Sequence, residues 1–268
     1  MSSKVLLEYL VEVTRIAVTA GELILSLKKS GNLDIQTKVN NTPVTTSDIE
    51  ADKFIRKELH SDSIRHFPII SEEYPYFPSW DERKNWDHVW LVDPLDGTRE
   101  FIKGSDDYTV NIALIEFGVP VLGVVYAPAI NTLYYATKYS NAFKQVVNNK
   151  IKISSKEINF ESFTVVGSKS WRDQETEMYL SKLPNYTFKG MGSSLKPCLI
   201  AEGAADLYVR FGTTCEWDTA ASHCILSASG GEIFSQSGAI LTYNQKEDFI
   251  NPPFIAVGDL NWNWKKYL

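Results

Sequence analysis

His88–Ile102 reads HVWLVDPLDGTREFI. The apolar run Val89–Val92, rich in β-branched and aromatic residues, predicts a short buried strand. It stops abruptly on Asp93-Pro94-Leu95-Asp96-Gly97-Thr98, which sets two carboxylates three positions apart where the strand ends. Pro94 fixes one backbone angle and removes a donor, while Gly97 permits a tight turn or a close backbone approach. Two carboxylates held in a stiff turn repel one another unless positive charge lies between them. A hard divalent cation with oxygen ligands meets that need, and Mg²⁺ typically takes one or two carboxylates together with substrate phosphate. An acidic surface turn would carry the same residues, since turns favour Asp, Pro and Gly. The rest of the chain separates the two readings.

With 268 residues the chain has material for one large or two modest domains. Its 44% hydrophobic and 22% charged residues are those of an ordinary soluble globular protein. A net charge of −6 argues against broad nucleic-acid binding through phosphate neutralisation. Small phosphorylated substrates remain open to it, held through metal ions rather than a basic surface. Cys198, Cys215 and Cys224 lack metal-type spacing, and three thiols cannot all pair internally. They read as buried free thiols in a reducing cytosol. The N-terminal stretch is interrupted by Glu8, Glu12 and Arg15, and no segment is apolar for long enough to span a bilayer. The expected location is cytoplasmic, at most peripheral at the cytoplasmic face of the inner membrane.

Leu6, Leu7, Leu10, Val13, Ala17, Ala20, Ile24 and Leu27 recur at helical spacing. They predict an amphipathic helix over about Lys4–Lys29, capped by Ser2 or Ser3 and followed by Gly31. A strand around Ile35–Val39 and a polar loop over 40–46 follow. Ser47 and Glu50 have capping-box spacing, so a second helix is expected from Asp48 to about Leu59. Asp48 falls in its first turn, where the helix dipole favours an acid. Phe67–Ile70 is a second apolar strand that ends on acids, Ser71-Glu72-Glu73. One such ending is ordinarily a solvated strand terminus; two in one chain form a pattern. Tyr74–Asp87 reads as a loop. Thr109–Glu116 and Val119–Ala127 flank Phe117-Gly118 as a β-hairpin, with a further strand over Leu133–Thr137. From about Ser162 strands (Phe163–Gly167, Thr187–Met191, Leu207–Phe211) alternate with helices (Arg172–Lys182, Ser194–Ala201, Asp218–Ser229). The fold class is therefore α/β, with an α+β domain over 1–150 and an α/β domain over 151–268, divided near the turn Asn148-Asn149-Lys150.

A third acidic station, Glu216-Trp217-Asp218-Thr219-Ala220, runs from a loop into a helix start, where unpaired N–H groups favour an anion. Taken in isolation, it reads as plain helix capping by Asp218 with Trp217 buried beside it. In order along the chain, Glu72-Glu73, Asp93-Pro94-Leu95-Asp96-Gly97-Thr98 and Trp217-Asp218-Thr219-Ala220 resemble the three signature motifs of the inositol monophosphatase superfamily, which comprises Mg²⁺-dependent, lithium-sensitive phosphatases. The resemblance covers nearly the whole chain. Within the superfamily, Asp96–Ile102, Tyr108–Leu114 and Gly192-Ser193-Ser194-Leu195-Lys196 are similar to the bacterial 3′(2′),5′-bisphosphate nucleotidase branch. Arg99 stands where Lys is common, which keeps the charge and changes the hydrogen-bond fork. Ser222 stands where Gly is frequent, a departure expected to affect packing only.

The resemblance implies a layered αβαβα sandwich of the inositol monophosphatase and fructose-1,6-bisphosphatase type. Most metal ligands would lie in 1–150, and the substrate-recognition loop and Asp218 in 151–268. It assigns two or three Mg²⁺ ions to the side chains of Glu72, Asp93, Asp96 and Asp218 and to the main-chain carbonyl of Leu95. Phosphate-monoester hydrolysis is exceptionally slow unaided, so a catalyst must neutralise the phosphate and supply a nucleophile, tasks that suit paired divalent cations. Thr98, hydrogen-bonded to Asp48 (with Glu72 as the rival partner), would orient the attacking water and pass on its proton. Glu72, Leu95, Asp96, Gly97, Thr98 and Asp218 would surround the phosphate. Ser193, Lys196 and Arg210 would take the leaving group, the two cations serving a second phosphate. No covalent phosphoenzyme is expected, because a haloacid-dehalogenase-type nucleophile needs acids two apart and Asp93 and Asp96 are three apart.

The implied reaction removes the 3′-phosphate from adenosine 3′,5′-bisphosphate to leave AMP, in the setting of sulfate assimilation, with 3′-phosphoadenosine 5′-phosphosulfate as a further candidate substrate. Hydrolysis of inositol or sugar monophosphates is the alternative within the class, and a non-catalytic phosphometabolite sensor the alternative outside it. The implied partner is a small phosphorylated nucleotide, with no nucleic acid and no membrane span, the chain acting as a monomer or homodimer.

Overall fold

Helix α1, Ser3–Ser30, begins at Ser2, whose Oγ accepts from the Val5 N–H, and ends at Gly31 in the left-handed region. Its buried stripe includes Leu6, Leu10, Val13, Ala17, Ala20 and Ile24, the residues whose spacing announces it. The computed structural model describes residues 1–31, 34–38, 42–61, 64–169 and 173–268. Val39 of the expected strand, Asn40 and Asn41 of the polar loop and Arg172 of a later helix lie outside them. Strands β1 (Ile35–Thr37) and β2 (Pro43–Thr45) pair antiparallel.

Helix α2, Thr46–Leu59, starts two residues before the position that Ser47 and Glu50 predict. Thr45 is the cap: its Oγ1 accepts from the Ser47 N–H, and Asp48 Oδ2 accepts the Thr45 N–H at 2.8 Å, which closes a capping box. The Ser47 hydroxyl is buried without a partner, and Glu50 pairs with Lys53 on the surface. Two capping-box spacings overlap in this stretch, and the one whose acid, Asp48, is buried is the one that forms.

The next elements are β3 (Ile69–Ser71), α3 (Trp80–Arg83), β4 (His88–Asp96), α4 (Thr98–Ile102), β5 (Thr109–Glu116), β6 (Val119–Ala127), β7 (Thr132–Thr137), β8 (Ala142–Val146) and β9 (Asn149–Ile153). The seven strands β3 to β9 form one sheet in chain order, with β3 parallel to β4 and every other pair antiparallel. The β5–β6 hairpin has the bounds that the sequence predicts. The short helix α3 interrupts the expected loop, held by a capping box of Ser79 and Glu82. The Asn148 turn sits inside the unanticipated β8–β9 hairpin.

The remainder comprises β10 (Thr164–Gly167), α5 (Gln174–Ser181), β11 (Thr187–Gly190), α6 (Leu195–Ala201), β12 (Leu207–Arg210), α7 (Glu216–Ser229), β13 (Glu232–Ser235) and β14 (Phe254–Val257). The three strands expected from the alternating pattern, β10, β11 and β12, run parallel. The sequence pattern did not show β13 and β14, which add an antiparallel flank and make this five-stranded sheet mixed.

The layering follows from period-two burial on strands apolar on both faces. Helices α1 and α2 cover one face of the first sheet through Trp90, Ile112 and Val124. Helices α6 and α7 fill the space between the sheets, against Leu91 and Val125 on one side and Tyr208 and Ala256 on the other. Helix α5 and Trp264 cover the far face through Val165, Leu207 and Ile255. The order is α-β-α-β-α. At Gly123 a Cβ would lie 2.2 Å from the Ala221 carbonyl, so α7 rests directly on the β6 backbone. Cys198 and Cys224 are buried and Cys215 half-buried, all three as free thiols. No helix among the described residues is long and apolar enough to cross a membrane.

Candidate active site

Because β3 and β4 run parallel, their carboxyl ends bring Glu72 and Asp93 side by side, and the Glu72 N–H donates to the Val92 carbonyl at 3.2 Å. The pairing of β4 with β5 is then broken between Asp93 and Asp96 by a bulge, which re-aims the chain. The Leu95 N–H turns back to Asp93 Oδ1 at 3.1 Å. Gly97 takes φ +91°, and a Cβ there would meet the Asp107 carbonyl at 2.9 Å, so glycine is required on both counts. Helix α4 follows at once and carries Thr98. From the other side comes α7, which begins at Glu216 rather than at Asp218. Cys215 is its cap residue, and Asp218, the third helical residue, accepts the Cys215 N–H on Oδ2 at 2.8 Å.

These elements bring carboxylate oxygens of Glu72, Asp93 and Asp218 within 4.8 Å of one another. Burial, then the charges of Glu72, Asp96 and Asp218, hold the Asp93 carboxyl well above the usual carboxylate range. Burial, then Asp96 and Glu72, do the same to Asp218. Burial also raises Asp96, against the pull of Lys196 and Ser194. Glu73 is pushed up to about 7 by burial, with Lys38 opposing. Three converging carboxylates with oxygen donors only, one of them fully buried, suit a hard divalent cation, whose charge offsets their mutual repulsion. Lys38 supplies part of that charge from the edge: its Nζ meets Glu72 Oε1 at 2.8 Å and Glu73 Oε1 at 2.6 Å. The other Glu72 oxygen accepts from the Trp217 indole N–H at 3.1 Å. Asp96 lines the same cavity as the three, its Oδ2 held by the Ser194 hydroxyl at 2.8 Å.

Thr98 Oγ1 lies 2.8 Å from Asp48 Oδ1 and 3.1 Å from the Leu95 carbonyl. Asp48 is fully buried, and burial raises its carboxyl against the bonds from Thr45 and Thr98. Two cavities open here and share Asp96, Gly97, Glu100 and Asp218. One, of about 310 Å³, is lined by Glu72, Asp93, Leu95 and Thr98, with Arg99 at its margin. The other, of about 210 Å³, is lined by Ser193, Lys196, Tyr208 and Arg210. Ser193 is held at φ +47°, its hydroxyl buried without a partner and its carbonyl accepting from Lys196 Nζ at 2.6 Å. Burial lowers the Lys196 pKa while Asp96 works the other way. Arg210 donates to the Thr213 carbonyl at 3.2 Å.

Every residue that sequence reasoning selects therefore lines one of the two cavities, except Asp48, which reaches the first through Thr98. The sequence did not signal Lys38, far along the chain from the acids it meets. Nor did it signal the Trp217 indole as a donor to Glu72, or the bonds of Asn111 and Ser194 to Asp96. Ser222, where glycine is frequent, is buried and bonds the Thr219 carbonyl at 3.1 Å.

Residues 6–265 match the model of the inositol monophosphatase family, and the chain belongs to that family. It is 42% identical over 244 residues to the 3′(2′),5′-bisphosphate nucleotidase CysQ of Escherichia coli strain K12, covering 91% of this chain and 97% of that protein. It is 43% identical over 249 residues to the CysQ nucleotidase of Buchnera aphidicola, covering 91% and 92%. The crystal structure of CysQ from Bacteroides thetaiotaomicron superposes with a TM-score of 0.78 at 38% identity, covering 92% of this chain and 95% of that one.

Proposed function

We propose that this protein is a Mg²⁺-dependent phosphatase that removes the 3′-phosphate of adenosine 3′,5′-bisphosphate and leaves AMP. The observation that carries the reading is that two cavities meet at Asp96 and Asp218: an acidic one beside a Thr98–Asp48 pair shares these residues with one lined by Lys196 and Arg210. The names of the similar nucleotidases support the same substrate.

Glu72, Asp93 and Asp218, joined by Asp96 and the Leu95 carbonyl, would hold two or three ions. Mg²⁺, when bound, would neutralise charge on the phosphate oxygens and ease the loss of a proton from the attacking water. Thr98 Oγ1 orients the attacking water, takes its proton and gives its own to Asp48 Oδ1, which the capping box holds rigid. Gly97, which lines both cavities, lets the turn pack against the Asp107 carbonyl and so sets the chain beside the phosphate. Lys196 and Arg210 bind the second phosphate, and Arg210 offers a planar fork that a lysine lacks. In this scheme 1–150 supplies the metal-binding chemistry apart from Asp218, and 151–268 supplies leaving-group recognition.

Phosphate release from adenosine 3′,5′-bisphosphate and from inositol 1-phosphate, each with Mg²⁺ and with EDTA, tests the reading. The expected result is a higher kcat/KM on the bisphosphate and loss of turnover in EDTA. Preference for inositol 1-phosphate would overturn the substrate, and binding of both without turnover would leave a sensor.

A further inference from the structure

We infer that Ser194 is a positioning residue that couples leaving-group recognition to the metal site, with Asn111 holding its hydroxyl in place. The inference rests on the function proposed above and adds to it how the two cavities communicate. Ser194 lies on the loop that lines the leaving-group cavity, yet it is only 3% exposed and its hydroxyl turns away from solvent. Ser194 Oγ is 2.8 Å from Asp96 Oδ2 and 2.6 Å from the Asp218 carbonyl, and it accepts from Asn111 Nδ2 at 2.8 Å. Asn111 Nδ2 also lies 3.4 Å from Asp96 Oδ2, and its own Oδ1 accepts from Thr109 at 2.9 Å.

One hydroxyl therefore ties four segments: the end of β4, the middle of β5, the first turn of α7 and the recognition loop. It has a single proton for two acceptors, so any displacement of the loop changes what Asp96 and the α7 terminus receive. The recognition groups lie beside it. Ser193 is held in a left-handed conformation that such residues rarely adopt, and Lys196 is tied back to the Ser193 carbonyl. A phosphate that draws on Lys196 pulls on that carbonyl, one residue from the hydroxyl that aligns Asp96. Coupling of two binding events is reciprocal, so cations that fix Asp96 and Asp218 also fix the loop for the leaving group.

The test is calorimetric titration of the full chain with Mg²⁺ alone, and again with saturating AMP. The wild type is expected to bind Mg²⁺ more tightly when AMP is present. Ser194→Ala is expected to weaken Mg²⁺ binding about tenfold without AMP, the effect of losing one charge-assisted hydrogen bond. It should also bring the AMP-dependent ratio close to one, while Ser194→Thr, which keeps the hydroxyl, restores both. If Ser194→Ala does not fold, Asn111→Ser carries the same expectation. Equal Mg²⁺ affinity and an equal AMP-dependent ratio in wild type and variant would overturn the inference, as would AMP that binds the wild type without altering its Mg²⁺ affinity. A wild type that binds Mg²⁺ but no AMP at all would overturn the nucleotide reading itself, a separate outcome.

Discussion

Asp48 and Asp218 occupy the same place in two helices. Each is the third residue, of α2 or α7, and each turns Oδ2 back to the N–H of the residue that precedes the helix, at 2.8 Å. The surroundings of the two differ. Asp48 faces hydroxyls, with Thr98 on Oδ1 and Thr45 at 2.5 Å from Oδ2. Asp218 faces the carboxylates of Glu72 and Asp93. A capping box fixes a short side chain by using one oxygen and leaving the other to its neighbours. Hydroxyl neighbours make that second oxygen a proton acceptor, and carboxylate neighbours make it a cation ligand. The same local device thus serves two chemical roles.

Exchanging each aspartate for asparagine should separate the roles. Asp218→Asn keeps a box acceptor but removes a ligand charge. It is expected to lower kcat/KM on the order of a thousandfold, several kcal/mol of lost charge stabilisation, and to abolish tight Mg²⁺ binding in calorimetry. Asp48→Asn leaves one acceptor for both the box and Thr98. A fall in kcat of about a hundredfold is expected, with Mg²⁺ affinity unchanged; a parallel loss of Mg²⁺ affinity would erase the distinction. Mg²⁺ at a hundred times its Kd should stabilise the wild type by about 2.7 kcal/mol, read as a rise in Tm over the protein in EDTA. That rise should persist in Asp48→Asn and disappear in Asp218→Asn. Thr45→Ala removes the cap and the hydroxyl on Asp48 Oδ2, and leaves the metal ligands and the Thr98 bond in place. It should lower Tm by about 2–4 °C, roughly 1 kcal/mol, in Mg²⁺ and in EDTA alike.

The two helix starts also mark the limit of what the sequence discloses. Strongly alternating or continuous apolar runs, such as Thr109–Glu116 and Val119–Ala127, read true to the residue because both faces are buried. The acids at strand ends were legible because an acid directly after an apolar strand is chemically conspicuous. The start of α1 was legible at Ser2, but that of α2 was not, because Thr45-x-x-Asp48 and Ser47-x-x-Glu50 compete with equal spacing. Strands β13 and β14 were hidden because each is short and takes its stability from neighbours distant in sequence. The Lys38 ion pairs and the Ser194 hydrogen bonds depend on loops meeting across the fold, and no local pattern encodes such meetings.

Anomalous diffraction from crystals grown with Mn²⁺ in place of Mg²⁺ tests the convergence of the acids most directly. The account predicts a peak at coordination distance from carboxylate oxygens of Glu72, Asp93 and Asp218, next to the Thr98 hydroxyl. Saturating Mn²⁺ that leaves these carboxylates without a peak, or settles only on other acids, would contradict it.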